Sequence, residues 1–152
     1  MKCLLGLALL AAACGPSASS ITKPTGDRGS AVVALPDVPF EKLDHDQRAE
    51  FMKQKVVPGM KAVFQNHDAK EFAQFGCETC HGAQAKDGHF DMPNPDLPKL
   101  NLKDMSKFKA EDVAWMTHEV APTMAKLLGV AMDSAENPTG FGCTSCHTLE
   151  AP

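Results

Sequence analysis

Two stretches of this chain repeat apolar residues at helical spacing. In "FMKQKVVPGMKAVF" (Phe51 to Phe64), Met52, Val56, Met60 and Val63 or Phe64 form one stripe. In "WMTHEVAPTMAKLL" (Trp115 to Leu128), Met116, Val120, Met124 and Leu127 or Leu128 form a second. Each stripe predicts a helix with one face to bury. Asp44 or Asp46 suits the start of the first; the acidic residues of "KAEDV" suit the start of the second, and Gly129 its end. Pro58 and Pro122 lie inside the stripes. Each removes a backbone donor, so each helix is expected as two segments meeting at a kink.

The two stretches also match each other. Aromatic, Met, Val, Pro, Met and an apolar end recur in the same order at an offset of 64, and "FGCETCHG" (Phe75 to Gly82) recurs as "FGCTSCHT" (Phe141 to Thr148) at an offset of 66. Two tandem units, about 44–82 and 109–148, account for both, with a two-residue insertion in the second. Between them "GHFDMPNPDLPKLNL" carries Pro93, Pro95 and Pro98, which oppose regular helix and favour an extended stretch along the surface. A second loop, "AMDSAENPTG", precedes the second Cys pair. No strand-like alternation of any length is present. The expected fold is mostly α: two helix–loop–Cys-x-x-Cys-His units with long loops and little or no β-sheet.

Ahead of the units the pattern changes. Residues 1–13 hold Lys2 and an apolar run from Leu4 to Ala13, too short for the roughly 20 residues of a bilayer crossing and expected to be an export signal. Cys14 after "LAAA" resembles the lipidated Cys of bacterial lipoproteins, although Ala11 stands where that family usually has Leu; the alternative is cleavage after Ala13 with a free Cys14. The segment 14–39, rich in Ser, Pro, Gly and Thr, reads as a flexible tether from that anchor, with "AVVAL" able to dock as a strand instead. The resulting expectation is an exported protein on the periplasmic side of a bacterial membrane, joined to lipid through Cys14, with a head at 40–152. A formal charge of −4 and no Lys/Arg run exclude nucleic acid as a natural partner.

The chemistry sits in the repeated motifs. Cys77, Cys80 and His81, and again Cys143, Cys146 and His147, have the spacing at which two thiols bond covalently to one haem edge while the adjoining imidazole ligates iron. Structural zinc would normally separate its Cys pairs by about 15–20 residues, whereas 62 residues intervene here. A thioredoxin-type dithiol lacks its βαβ frame, and disulfides leave the two His unexplained. The expectation is two covalently bound haem c groups. Five residues follow His147, so the sixth ligand of the second iron is expected upstream.

In this respect residues 44–147 resemble the tetrahaem cytochrome subunit of photosynthetic reaction centres and related multihaem proteins, with two motifs instead of four and a longer turn between Met and Cys. The resemblance implies that a helix donates a Met, the chain turns, and the Cys-x-x-Cys-His motif follows. Met60 and Met124, 17 and 19 residues before their Cys pairs, are then the favoured ligands; Met52 and Met116, 25 and 27 before, are the second choice. His45, His67, His89 and His118 are rivals that occupy no matching positions in the two copies and otherwise read as solvated surface imidazoles; Met92 is a lesser candidate. His/Met ligation fills both axial positions and raises the potential relative to His/His. The expected role is electron transfer between other redox proteins, not enzyme catalysis. A dihaem peroxidase-like enzyme or gas sensor with one five-coordinate iron is the alternative, and haem as a structural staple a third reading.

Overall fold

A computed structural model describes residues 35–151. The signal segment, Cys14 and the tether as far as residue 34, with the expectations placed on them, lie outside the described residues.

The chain first turns at Phe40–Lys42. Arg48 holds this turn against the first helix, its Nη2 donating to the Glu41 carbonyl at 2.9 Å while the guanidinium lies 5.6 Å over the Phe40 ring. Helix α1 (His45–Phe51) starts at Asp44: Asp44 Oδ1 accepts from Gln47 N at 2.9 Å, and Gln47 Oε1 accepts from Asp44 N at 3.1 Å. This reciprocal pair satisfies two of the donors that a helix start leaves open.

Helical conformation then runs without a break through a π segment (Met52–Val56) into α2 (Val57–His67). Past the short α3 (Cys77–His81), the second unit repeats the device: α4 (Ala110–Trp115), a π segment (Met116–Val120) and α5 (Ala121–Leu128). Both π segments immediately precede the X–Pro pair. A proline lacks the N–H that would bond four residues back, and its ring crowds that carbonyl. One extra residue in the turn relieves the crowding, because Val57 N now donates to Met52 O and Ala121 N to Met116 O, five residues back. Val57 (φ −56°, ψ −47°) and Ala121 (φ −64°, ψ −44°) keep right-handed helical dihedrals. Two α segments therefore meet just ahead of each proline, as expected, and the join between them is a π turn.

The two long helices bury their stripes against each other. Val56, Met60, Phe64 and Trp115 form the buried centre, with Phe51, Met52, Val63, Met116, Val120, Met124, Leu127 and Leu128 packed around it. The packing is reciprocal, α2 lying against α5 and the second π segment, and α5 against the first π segment. Gly59 permits the close approach, since a Cβ there would sit 3.0 Å from Leu127 Cδ1. Phe64 meets Phe72 at 4.9 Å edge-on, Phe75 at 4.8 Å and Trp115 at 4.8 Å edge-on, arrangements that aromatic quadrupoles favour. Helix α5 ends as expected at Gly129, in the left-handed region (φ 71°, ψ 28°), with its N–H returned to the last turn.

Among the described residues there is no sheet, only three isolated parallel bridges, Asn94–His147, Leu100–Leu149 and Met132–Phe141. The fold is mostly helical. No helix among the described residues is long and apolar enough to cross a membrane.

Candidate functional site

Each Cys-x-x-Cys-His motif is folded by the same local clip. In the first, on α3, Gly76 N donates to Thr79 Oγ1 at 3.1 Å while Thr79 N donates back to Gly76 O at 3.1 Å. In the second, a 3₁₀ turn at Cys143–Ser145, Gly142 N donates to Ser145 Oγ at 3.1 Å and Ser145 N to Gly142 O at 2.9 Å. The hydroxyl between the two Cys thus closes the turn that sets both thiols and the His on neighbouring positions. Thr79 and Ser145 were legible in the sequence only as two hydroxyl residues at matched places.

The surroundings of the two clips differ. At Gly142 (φ −160°) the chain is extended, but a Cβ would lie 2.3 Å from Asp133 Oδ2, so the Asp133 side chain would have to move to admit one. At Gly76 nothing lies within 4 Å of the same position. Phe75 joins the helix-pair core through Phe64, whereas Phe141 exchanges backbone bonds with the loop before it, donating to Ala131 O at 2.9 Å and accepting from Asp133 N at 3.0 Å.

The proline-rich linker draws the motifs together. It runs extended beside the residues after Cys146: Asn94 N donates to Cys146 O, Leu100 N to Thr148 O and Glu150 N to Leu100 O, each at 2.9 Å. Lys107 pairs with Glu150 and donates to Lys99 O, closing the far end. Asn94, fully buried, also sends its side-chain Nδ2 to Cys80 O at 2.9 Å. One residue therefore holds the carbonyl of the second Cys in both motifs. Nothing in the sequence marked it, because it has no counterpart in the repeat.

All four thiols are free. Burial pushes the Cys80 thiol up to about 12, with further push from Cys146 and Cys77, so Cys80 feels the second motif. Burial also raises Cys146, helped by Cys143. Both therefore stay protonated at neutral pH.

His147 Nδ1 is 2.9 Å from the Pro98 carbonyl oxygen, which can only accept. That bond places the proton on Nδ1 and leaves Nε2 free to ligate, the usual outer support of a metal-bound imidazole. His81 has no such support: its Nδ1 is buried without a hydrogen-bond partner. Burial pulls its pKa down, opposed by the backbone of Phe90, whose ring stands edge-on at 5.3 Å. The donor sets thus fit covalent haem at both motifs. Among the described residues no three or more His, Cys, Asp or Glu side chains converge on one point as a metal cage.

Of the sulfur candidates, Met60 is 1% exposed at the centre of the helix pair, and Met52, Met116 and Met124 are partly buried around it. All four face the shared core; it reaches the first motif through Phe64 and Phe75. Met92 is half-buried in the linker. His89 and His118 are exposed. His45, 70% exposed and raised in pKa by Asp46, lies 6.1 Å from Phe90, with His81 against the same ring. His67 differs from the expected solvated imidazole: it stacks on Trp115 at 3.9 Å and 5°, with Nε2 3.2 Å from Asp112 Oδ1.

Comparison of the chain with protein-family models, with curated proteins and with solved structures finds no match.

Proposed function

We propose that this chain is a dihaem c-type cytochrome, exported and held on the periplasmic side of a bacterial membrane through Cys14, that carries electrons between other redox proteins. The observation that carries the reading is the pair of Cys-x-x-Cys-His motifs, closed by the same glycine–hydroxyl clip and joined at Asn94.

Cys77 and Cys80 would bind the first haem and Cys143 and Cys146 the second, each S–H adding across a vinyl group so that a C–S bond forms without an external oxidant. His81 and His147 would ligate the irons from Nε2. Haem bound in this way supplies a one-electron iron couple. The remaining work belongs to the chain. Pro98 holds His147 in one tautomer, and the helix pair gathers four Met side chains at its apolar core, Met60 buried and the others partly so, with Met60 and Met124 the proposed sixth ligands. The resemblance to the multihaem reaction-centre subunit supports the same placement of Met ahead of each motif.

The test is production with haem-maturation machinery, followed by intact mass and carbon monoxide titration of the reduced protein. Two added haem masses and an unchanged spectrum support electron transfer. Rapid carbon monoxide binding favours the enzyme or sensor reading, and a mass without two haems removes both.

A further inference from the structure

Asn94 is the one buried polar side chain among the described residues, at 0% exposure. Its backbone N donates to Cys146 O at 2.9 Å, its Nδ2 donates to Cys80 O at 2.9 Å, and its Oδ1 accepts from Asp96 N at 2.9 Å. Pro93 and Pro95 on either side restrict the backbone to extended forms, which keeps the N–H and the side chain aimed in fixed directions. The chemistry is selective. An aspartate would turn an acceptor toward the Cys80 carbonyl, and an alanine would leave that carbonyl and the Asp96 N–H without their partner.

We infer that Asn94 is a positioning residue that holds the two Cys-x-x-Cys-His motifs in register and so sets how strongly the oxidation of one haem is felt at the other. This rests on the dihaem reading above. The physical link is Coulombic: charge on one iron acts on the second through a low-dielectric interior, with a strength fixed by their separation. Asn94 reaches the first motif through its side chain, at Cys80, and the second through its backbone, at Cys146, so the side chain ties the first motif to the linker that already holds the second.

The experiment uses the matured full-length protein, a redox titration followed by NMR to resolve the curve of each haem, and intact mass on every sample. If the wild type lacks the mass of two haems, the dihaem reading has failed, and mass alone reports it. With two haems present, Asn94→Ala is expected to lose most of the dependence of one haem's midpoint on the redox state of the other; wild-type dependence in that variant overturns the inference. Asn101→Ala, which removes only an exposed turn bond to Lys103 N in the same linker, is expected to keep the wild-type dependence. An equal loss there also overturns it, because general loosening would then suffice. Should Asn94→Ala carry fewer than two haems, the same reading is taken on Asn94→Asp, which keeps the bonds to Asp96 and Cys146 and loses the one to Cys80.

Discussion

His147 donates from Nδ1 to the carbonyl oxygen of Pro98, forty-nine residues earlier, at 2.9 Å, while the matching His81 has no partner for the same atom. In the proposed dihaem protein the two imidazoles would differ as iron ligands, since a hydrogen bond at Nδ1 makes the ring a stronger electron donor. Pro98→Gly frees the backbone that aims this carbonyl. The expected result is a rise in the midpoint potential of the haem proposed on Cys143 and Cys146 with the other unchanged, measured by a titration that resolves both.

Met60 combines a proposed ligand role with a place in the core at 1% exposure, and two substitutions separate them. Met60→Ala leaves a cavity and should cost about 2–5 kcal/mol. Met60→Leu keeps the volume at a cost below about 1.5 kcal/mol, yet removes the sulfur. If Met60 is a ligand, both variants lose the long-wavelength sulfur-to-iron band of one haem; an intact band in Met60→Leu moves the assignment to Met52. Met124→Leu is expected to act likewise on the second haem.

The matched glycines before the motifs should respond oppositely. Gly142→Ala brings a Cβ within 2.3 Å of Asp133 and should destabilise by about 1–3 kcal/mol through overpacking. Gly76→Ala meets open space and should stay within about 0.5 kcal/mol. Denaturant midpoints of the two variants check the contrast; equal losses would refute the asymmetry between the units.

Asp68 sits where the first long helix ends, accepting from Lys70 N and Glu71 N at 2.8 Å each, and these bonds, Glu71 first, hold its carboxyl below the ordinary value of 3.8. A folded-state pKa below the unfolded one adds stability that is complete above the unfolded value and vanishes as pH falls through the folded one. Asp68→Asn should therefore be less stable than wild type at neutral pH, by an amount that shrinks in strong acid. Unfolding curves at both pH values test the sign.

Much of the helical framework was legible in the sequence because helical spacing is a local property. Met52, Val56, Met60 and their partners at an offset of 64 announced both buried faces and Gly129 the stop of the second helix, as they appear; of Asp44 and Asp46, both suited to the first cap, the structure uses Asp44. The prolines were read as joints between two helical segments, since the missing donor is a local fact; that Val57 N and Ala121 N would reach five residues back, to Met52 O and Met116 O, depends on an extra residue in the turn, which no residue type announces. The Cys-x-x-Cys-His motifs were visible as strings, but their shared hydroxyl clip became meaningful only once Thr79 and Ser145 were seen bonding back to Gly76 and Gly142.

Sequence alone determined where helices form, which faces are apolar, and which thiols and imidazoles stand together, because each of these follows from neighbours within a few residues. Tertiary structure decided that the linker pairs with the residues after Cys146, that Asn94 bonds to both motifs, and that Pro98 serves His147 while His81 goes without. Those choices rest on contacts between residues far apart in the chain, which no pattern of neighbouring residues encodes, and the fully buried Asn94 side chain is the one for which a missing partner would cost most.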